Sequence, residues 1–272
     1  MKTDFSKVTL LGSGLLGGSL FLALRARENA PDISIWARSE KTVTAAREIG
    51  ISTITSDLAE AVKNTKLLVL AVPVGSMAAL VSLALQAGLP DGCLITDVGS
   101  VKRVPHVTIP PLIEDREIHY IGSHPMAGSE KNGLSAITDR LFQNAACLLT
   151  NDNNAPSELA AALECFWKSI GCRTSWMSAA VHDQLVARIS HLPHLISASA
   201  ARVCLKKSAE GRFGGGGLRD TTRVAAGNPE MWAEIVTENR EALADLLKET
   251  IADLDQILSS LESGDQKQTL HW

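Results

Sequence analysis

The run Val8-Thr9-Leu10-Leu11-Gly12-Ser13-Gly14-Leu15-Leu16-Gly17-Gly18 constrains the fold of this chain more than any other segment. Residues 7–11 read as an apolar strand, and an amphipathic helix opens after them and runs to about Ala26, so Gly12-x-Gly14-x-x-Gly17 falls in the turn between the two. In such a turn the first glycine permits a tight bend, the second lets backbone approach a pyrophosphate, and the third allows close packing of helix on strand. The helix amino terminus then faces the phosphates. Alone the motif is weak, since a glycine-rich turn between two elements has the same letters. The strand before it, the helix after it and the further βα succession select dinucleotide binding, with Gly12, Ser13, Gly14, Leu15, Leu16 and Gly17 lining the loop and Val72 and Pro73 adjoining it from a later strand.

That succession fills the first two thirds of the chain. β-rich runs at 33–36, 67–72, 93–97, 118–121 and 146–150 are separated by helical stretches, which predicts βαβ units and a mostly parallel sheet. Residues 67–72 are apolar throughout, as expected of a strand buried on both faces, and Pro73 ends it. A last strand is read at 172–177; beyond it only helical periodicity remains, with long helices at 179–201 and 232–261. The expected fold class is therefore α/β, a Rossmann-type dinucleotide-binding domain over 1–177 followed by an all-helical domain over 178–272. In the last helix Ile235, Leu243, Leu246, Leu247, Ile251, Leu254, Ile257 and Leu258 form an apolar stripe, to be buried internally or against a second subunit; a homodimer through this domain is the expectation. Four glycines at 214–217 predict a mobile loop.

Composition narrows the partners. The 272 residues, 45 % hydrophobic and 21 % charged, suit two ordinary globular domains. A net charge of −4 without a basic block attracts neither nucleic acid nor an anionic membrane, which leaves a small-molecule substrate. No apolar stretch approaches the ~20 residues of a membrane span, and the amino terminus lacks the apolar core of a signal peptide, so a cytoplasmic protein is expected. Cys93, Cys147, Cys165, Cys172 and Cys204 are odd in number, scattered and without metal-ligand spacing; all five read as reduced core residues.

The end of the second strand decides which dinucleotide is bound. An acidic side chain there would hold an unphosphorylated ribose, but the sequence reads Trp36-Ala37-Arg38-Ser39. Asp32 lies at the other end of the strand, in the turn that starts it. Arg38 and Ser39, with Lys41, are natural donors to a 2′-phosphate, which favours NADP; if Arg38 is only a solvated charge, NAD is used.

Two strand ends carry the chemistry. Asp97-Val98-Gly99-Ser100-Val101-Lys102 and Ser123-His124-Pro125 both pass from a strand into a loop, and ligands of open α/β sheets bind beyond the carboxyl ends of strands. Ser100 and His124 can therefore meet near a nicotinamide, the hydroxyl fixing the tautomer and orientation that a general base needs. Arg223, in Asp220-Thr221-Thr222-Arg223, supplies an anchor for an anionic substrate.

Five blocks extend this reading: GSGLLGGSL at 12–20, DVGSVK at 97–102, SHPMAGSEKNG at 123–133, HDQLVARISHLPH at 182–194 and RDTTRVAAGNPEMW at 219–232. In these blocks, and in their order, the chain resembles the prephenate and arogenate dehydrogenase family of tyrosine biosynthesis. The resemblance implies oxidative decarboxylation of a cyclohexadienol, with hydride passing to the nicotinamide and the ring carboxylate leaving as carbon dioxide. It implies His124 as the base for the ring hydroxyl, Ser100 as its hydrogen-bond partner and Arg223 as a clamp on a substrate carboxylate. Ser190, His191 and His194 would line the pocket from the helical domain, with Glu130 and Trp232 in blocks near the site. The length leaves no room for the fused chorismate mutase or the carboxyl-terminal regulatory domain of some relatives. Leu218 stands where an aromatic residue is expected.

Each assignment has a plainer competitor. Ser100 can cap a helix starting at Val101, Arg223 can be a surface ion-pair member, and Trp232 can be a core or interface aromatic. His191 and His194 have metal-like spacing, but Pro193 disrupts a helix between them and a third ligand is lacking, so no metal is expected. His182, followed by Asp183, reads as structural. Two other functions share the glycine-loop domain. A β-hydroxyacid dehydrogenase or imine reductase would rely on a helical-domain lysine, for which Lys206 and Lys207 lack the context. A non-catalytic NADP-binding sensor would not need Ser100, His124 and Arg223 together.

Overall fold

The glycine turn opens a parallel sheet. In the computed structural model, which describes residues 5–128, 133–264 and 266–270, β1 (Lys7–Leu11), β2 (Asp32–Trp36), β3 (Ile54–Thr55), β4 (Leu67–Leu70), β5 (Leu94–Asp97) and β6 (His119–Tyr120) lie in the order β3-β2-β1-β4-β5-β6, all parallel. This is the Rossmann order, with its topological switch between β1 and β4. The helices between strands are α1 (Leu15–Arg25), α2 (Glu40–Glu48), α3 (Leu58–Val62), α4 (Val74–Gln86), α5 (Arg103–Thr108) and α6 (Pro110–Ile113). Period-two alternation sorts β4 between two cores: Leu67 and Val69 pack with Leu20, Phe21 and Leu24 of α1, while Leu68 and Leu70 pack with Met77, Leu80 and Val81 of α4.

The sequence predicts a single sheet; the structure has two. After β6 the chain crosses into β7 (Gly122–Pro125), which pairs antiparallel with β8 (Ala146–Thr150); β9 (Arg173–Trp176) follows parallel to β8 after α7 (Ser157–Ser169). The crossing depends on Gly122. A Cβ there would collide with Thr150 Oγ1 and lie 2.8 Å from Lys102 Cδ, so only a residue without a side chain passes between the sheets. The 118–121 run is thus shorter than its apolar letters suggest, and β3, two residues long, carries no periodicity to detect.

Two compact units result, one of residues 1–182 with 227–234, the other of 183–226 with 235–272. The second holds only helices among its described residues. Here the two long helices read from periodicity are each interrupted. Residues 179–201 form α8 (Ala179–Val186), a π-helical turn at Ala187–His191, and α9 (Leu192–Cys204). The wider turn shifts the helical register, so that Pro193 falls at the start of α9, where its missing N–H is tolerated. Residues 216–222 form α10 (Gly216–Thr222), so half of the glycine run is helical rather than loop. The 232–261 stretch divides into α11 (Pro229–Glu238) and α12 (Arg240–Ser263) at buried Asn239, and α13 (Gln266–Thr269) follows. Asn239 Nδ2 donates to the Asp183 carbonyl at 2.8 Å and to His191 Nδ1 at 3.1 Å, bonds a straight helix would not direct there.

All five cysteines are free thiols, but only Cys93, Cys147 and Cys172 are core residues. Cys165 and Cys204 are exposed, because each falls on the outward face of its helix. Burial pushes the Cys93 thiol up to about 12.

Candidate active site

The glycine loop shows why Gly12 and Gly17 carry no side chain. Gly12 has φ +114°, a backbone that side chains rarely adopt, and a Cβ on it would collide with the Ala71 carbonyl at the end of β4. A Cβ on Gly17 would collide with the Gly12 carbonyl, so α1 lies directly against the turn. Gly14, the first-turn cap of α1, differs: a Cβ there would meet nothing within 4 Å, and no side chain caps the helix. Backbone is thus presented to open space at a helix amino terminus whose first-turn amides have no intrahelical partner, a surface suited to a pyrophosphate. The fit to a dinucleotide therefore rests on the cradle's shape as well as on its motif. Ser13 is buried, Leu15 and Leu16 half-buried, and Val72 and exposed Pro73 lead from β4 into α4 beside the Gly12 turn.

At the end of β2 no carboxylate is found. Asp32 sits at the opposite end of the strand, ion-paired with Lys7 at 2.8 Å. Arg38 is exposed, and Ser39 is the amino-terminal cap of α2, its Oγ accepting from Thr42 N at 3.2 Å.

His124 differs from expectation in its setting. It lies within β7 of the small sheet, opposite Leu148, rather than in a loop after a strand of the large sheet. Its ring is buried, and its Nδ1 is 2.9 Å from Nε2 of His182, a residue of α8 with no exposure. His182, read as structural, is thus brought against His124; its distance in sequence from the His-Pro-Met-Ala-Gly block hid the pairing. Two anchors hold the pair. Asp152 carboxylate oxygens accept from Ala179 N at 2.9 and 3.1 Å at the start of α8. Beside His124, Ser123 Oγ accepts from Trp167 Nε1 at 2.9 Å and lies 2.7 Å from Thr96 Oγ1 of β5. Ser100 is half-buried in the loop after β5. It does not cap a helix: α5 begins at Arg103 and has no side-chain cap.

The second unit gathers its own candidates. His194 is buried in α9, its Nδ1 donating to the Val224 carbonyl at 2.9 Å, and Ser197 Oγ donates to the Thr221 carbonyl at 2.6 Å. These bonds fix the segment on which exposed Arg223 begins a 3₁₀ turn, Arg223–Ala226. Burial lowers the His194 pKa from its ordinary value, partly opposed by the Val224 bond. His191 is buried and accepts at Nδ1 from Asn239, while neighbouring Ser190 is half-buried. Trp232, on α11 in the first unit, is half-buried. Glu130 lies outside the described residues.

Comparison with known proteins tests the resemblance. The family model for the nucleotide-binding domain of prephenate dehydrogenase matches residues 21–176, and that for its dimerization domain matches 178–272. Cyclohexadienyl dehydrogenase of Zymomonas mobilis is 35 % identical over 271 residues, covering 97 % of this chain and 91 % of its own. The chain belongs to the prephenate dehydrogenase family. Prephenate dehydrogenase of Bacillus subtilis is 30 % identical over 95 % of this chain and 71 % of its own, longer, sequence. Among solved structures, Synechocystis arogenate dehydrogenase superposes with a TM-score of 0.76 at 28 % identity, covering 96 % of this chain and 94 % of its own. An A. aeolicus prephenate dehydrogenase solved with hydroxyphenyl propionate and NAD+ shares the fold, with a TM-score of 0.87 at 23 % identity over 100 % of this chain and 96 % of its own. As a family member the chain is a dehydrogenase that uses a nicotinamide dinucleotide, NAD or NADP.

Proposed function

We infer that the protein oxidises and decarboxylates prephenate to 4-hydroxyphenylpyruvate, or arogenate to tyrosine, in tyrosine biosynthesis. The observation that carries this reading is the buried His124–His182 pair in a chain whose residues 21–176 and 178–272 match the family's two domains. His124 is the base. With Nδ1–H directed at His182 Nε2, its Nε2 is the basic nitrogen, and it takes the proton of the ring hydroxyl. His182 then accepts from the imidazolium and steadies it in the same orientation. A bound nicotinamide dinucleotide supplies the hydride acceptor. Loss of hydride and proton turns the carbinol carbon into a carbonyl, and the electrons of the ring-to-carboxylate bond flow into the ring as carbon dioxide departs. Aromatisation makes the step irreversible. Ser100 orients the base and its substrate, Arg223 holds a substrate carboxylate, and Ser190, His191, His194, Glu130 and Trp232 are the further residues assigned to substrate binding.

NADP is the favoured cofactor. Exposed Arg38, with Ser39 and Lys41, supports a 2′-phosphate, and the residues directly after β2, Ala37-Arg38-Ser39, include no acidic side chain to hold a free ribose hydroxyl. Residues 1–177 would bind dinucleotide and 178–272 the substrate, with a homodimer formed through the latter in the cytoplasm. The family description of that segment supports the dimer, as does an exposed seam on α12: Leu247, Ile251, Leu254, Leu258 and Leu261 are 37–63 % exposed at alternating spacings of four and three. Among the described residues no helix is long and apolar enough to cross a membrane.

The test is a four-way comparison of kcat/KM: prephenate and arogenate, each with NADP and with NAD. Reduction of NADP with at least one substrate, faster than NAD, is expected. Inactivity in all four assays would refute the activity, and faster turnover with NAD would refute only the cofactor preference.

A further inference from the structure

The loop that carries Ser100 is built around a buried charge. Lys102 and Asp97 side chains are both 0 % exposed, and Lys102 Nζ donates to Asp97 Oδ1. The same ammonium donates to the carbonyls of Gly99 at 3.0 Å and Val101 at 3.1 Å, the residues immediately before and after Ser100. Other bonds complete the ring. Asp97 Oδ1 accepts from Gly99 N at 2.7 Å, Asp97 Oδ2 accepts from the Tyr120 hydroxyl of β6 at 2.6 Å, and Val98 N donates to the Leu70 carbonyl of β4 at 3.1 Å. A Cβ on Gly99 would lie 2.9 Å from Val74 Cγ2 and 3.0 Å from Met77 Cε, so the loop is also packed tightly from the α4 side. Asp97, Val98, Val101 and Lys102 are buried, and only Gly99 and Ser100 between them reach the surface.

A core has no thermodynamic need of this arrangement. Burying an ammonium and a carboxylate carries a large desolvation cost before their attraction is counted, and apolar residues of similar volume often serve stability as well. What the pair supplies is geometry, because the ammonium's bonds to Asp97, Gly99 and Val101 all return to the six-residue segment 97–102 and bracket one hydroxyl. We propose that Lys102 is a positioning residue, whose ammonium clamps the backbone on both sides of Ser100 and so fixes where its hydroxyl points. The proposal rests on Ser100 as the orienting partner of the reacting groups.

Replacing Lys102 alone would strand the Asp97 carboxylate in the core. The informative protein is therefore Lys102→Met combined with Asp97→Asn, which buries neither charge and leaves an amide oxygen to accept from Gly99 N or Tyr120. With folding checked by thermal melting, kcat and KM are measured in this double variant, in Ser100→Ala and in the triple variant. Ser100→Ala and the double variant should each lose on the order of 10²-fold in kcat. The triple variant should be within about twofold of the double, since the clamp acts through the hydroxyl already removed, and KM for the dinucleotide should stay within about twofold of wild type. Tyr120→Phe keeps both charges and frees one oxygen of Asp97; its expected loss of kcat, roughly fivefold, should vanish in the Ser100→Ala background. A folded double variant with wild-type kcat, or losses that multiply in the triple variant or between Tyr120→Phe and Ser100→Ala, would overturn the role of Lys102 alone. Wild-type kcat in Ser100→Ala would overturn the reading of Ser100 and, with it, the clamp.

Discussion

His124 is held by contacts that leave little room for substitution: a strand partner on one side, Ser123 bonded to Trp167, and His182 at Nδ1. His124→Asn keeps a polar group of similar size and removes the base, so kcat should fall about 10²–10⁴-fold with KM nearly unchanged. Arg223→Gln should instead raise KM for the substrate, as expected of a group that binds ground and transition states alike. Steady-state kinetics on both variants distinguishes the roles; equal, mild changes in both parameters would reject them. His194 makes a different prediction. Burial lowers its pKa below the ordinary 6.5, so between the folded value and 6.5 the unfolded chain binds a proton that the folded chain does not. Its contribution to stability is complete above that window and declines as pH falls through it. His194→Gln should flatten this part of the Tm-against-pH curve, and an unchanged slope would refute the linkage.

At the scale of elements, short polar contacts determine where helices begin and stop. Ser39 caps α2 through Thr42 N, and Asp57 caps α3 through the amides of Ala59 and Glu60. Ser39→Ala should lower stability by about 1 kcal/mol, read as a lower Tm. If Ser39 also meets a 2′-phosphate, kcat/KM for NADP falls while that for NAD holds; equal effects on both would leave Ser39 a cap alone. Such caps can be read from the letters, whereas the division of the long helices cannot. Asn239 separates α11 from α12 because its amide is drawn to the Asp183 carbonyl and to His191, residues nearly 50 or more positions away in sequence. The π-helical turn before Pro193 has the same character: local periodicity continues through it, and packing sets its register.

At the scale of the whole molecule, the exposed seam of α12 calls for a partner, and the proposed dimer supplies one. Leu254→Glu with Leu258→Glu places two charges on that seam and should shift the protein to monomers, measured by light scattering after gel filtration; an undiminished dimer would locate the interface elsewhere. The glycine turn, the doubly buried β4, the helical second part and the His124 block could all be read in the sequence, because each depends on residues close together along the chain: a turn, a period, a motif. The division into two sheets at Gly122, the pairing of His124 with His182 and the bond from Tyr120 to the Asp97 carboxylate of the Ser100 loop could not. Each of these is set by which distant or opposing atoms happen to meet, and a linear pattern records a residue's neighbours along the chain but not its neighbours across it. Sequence alone therefore determined the kind of domain and the residues available for chemistry, and the tertiary structure decided which imidazole faces which and what holds the hydroxyl loop in place.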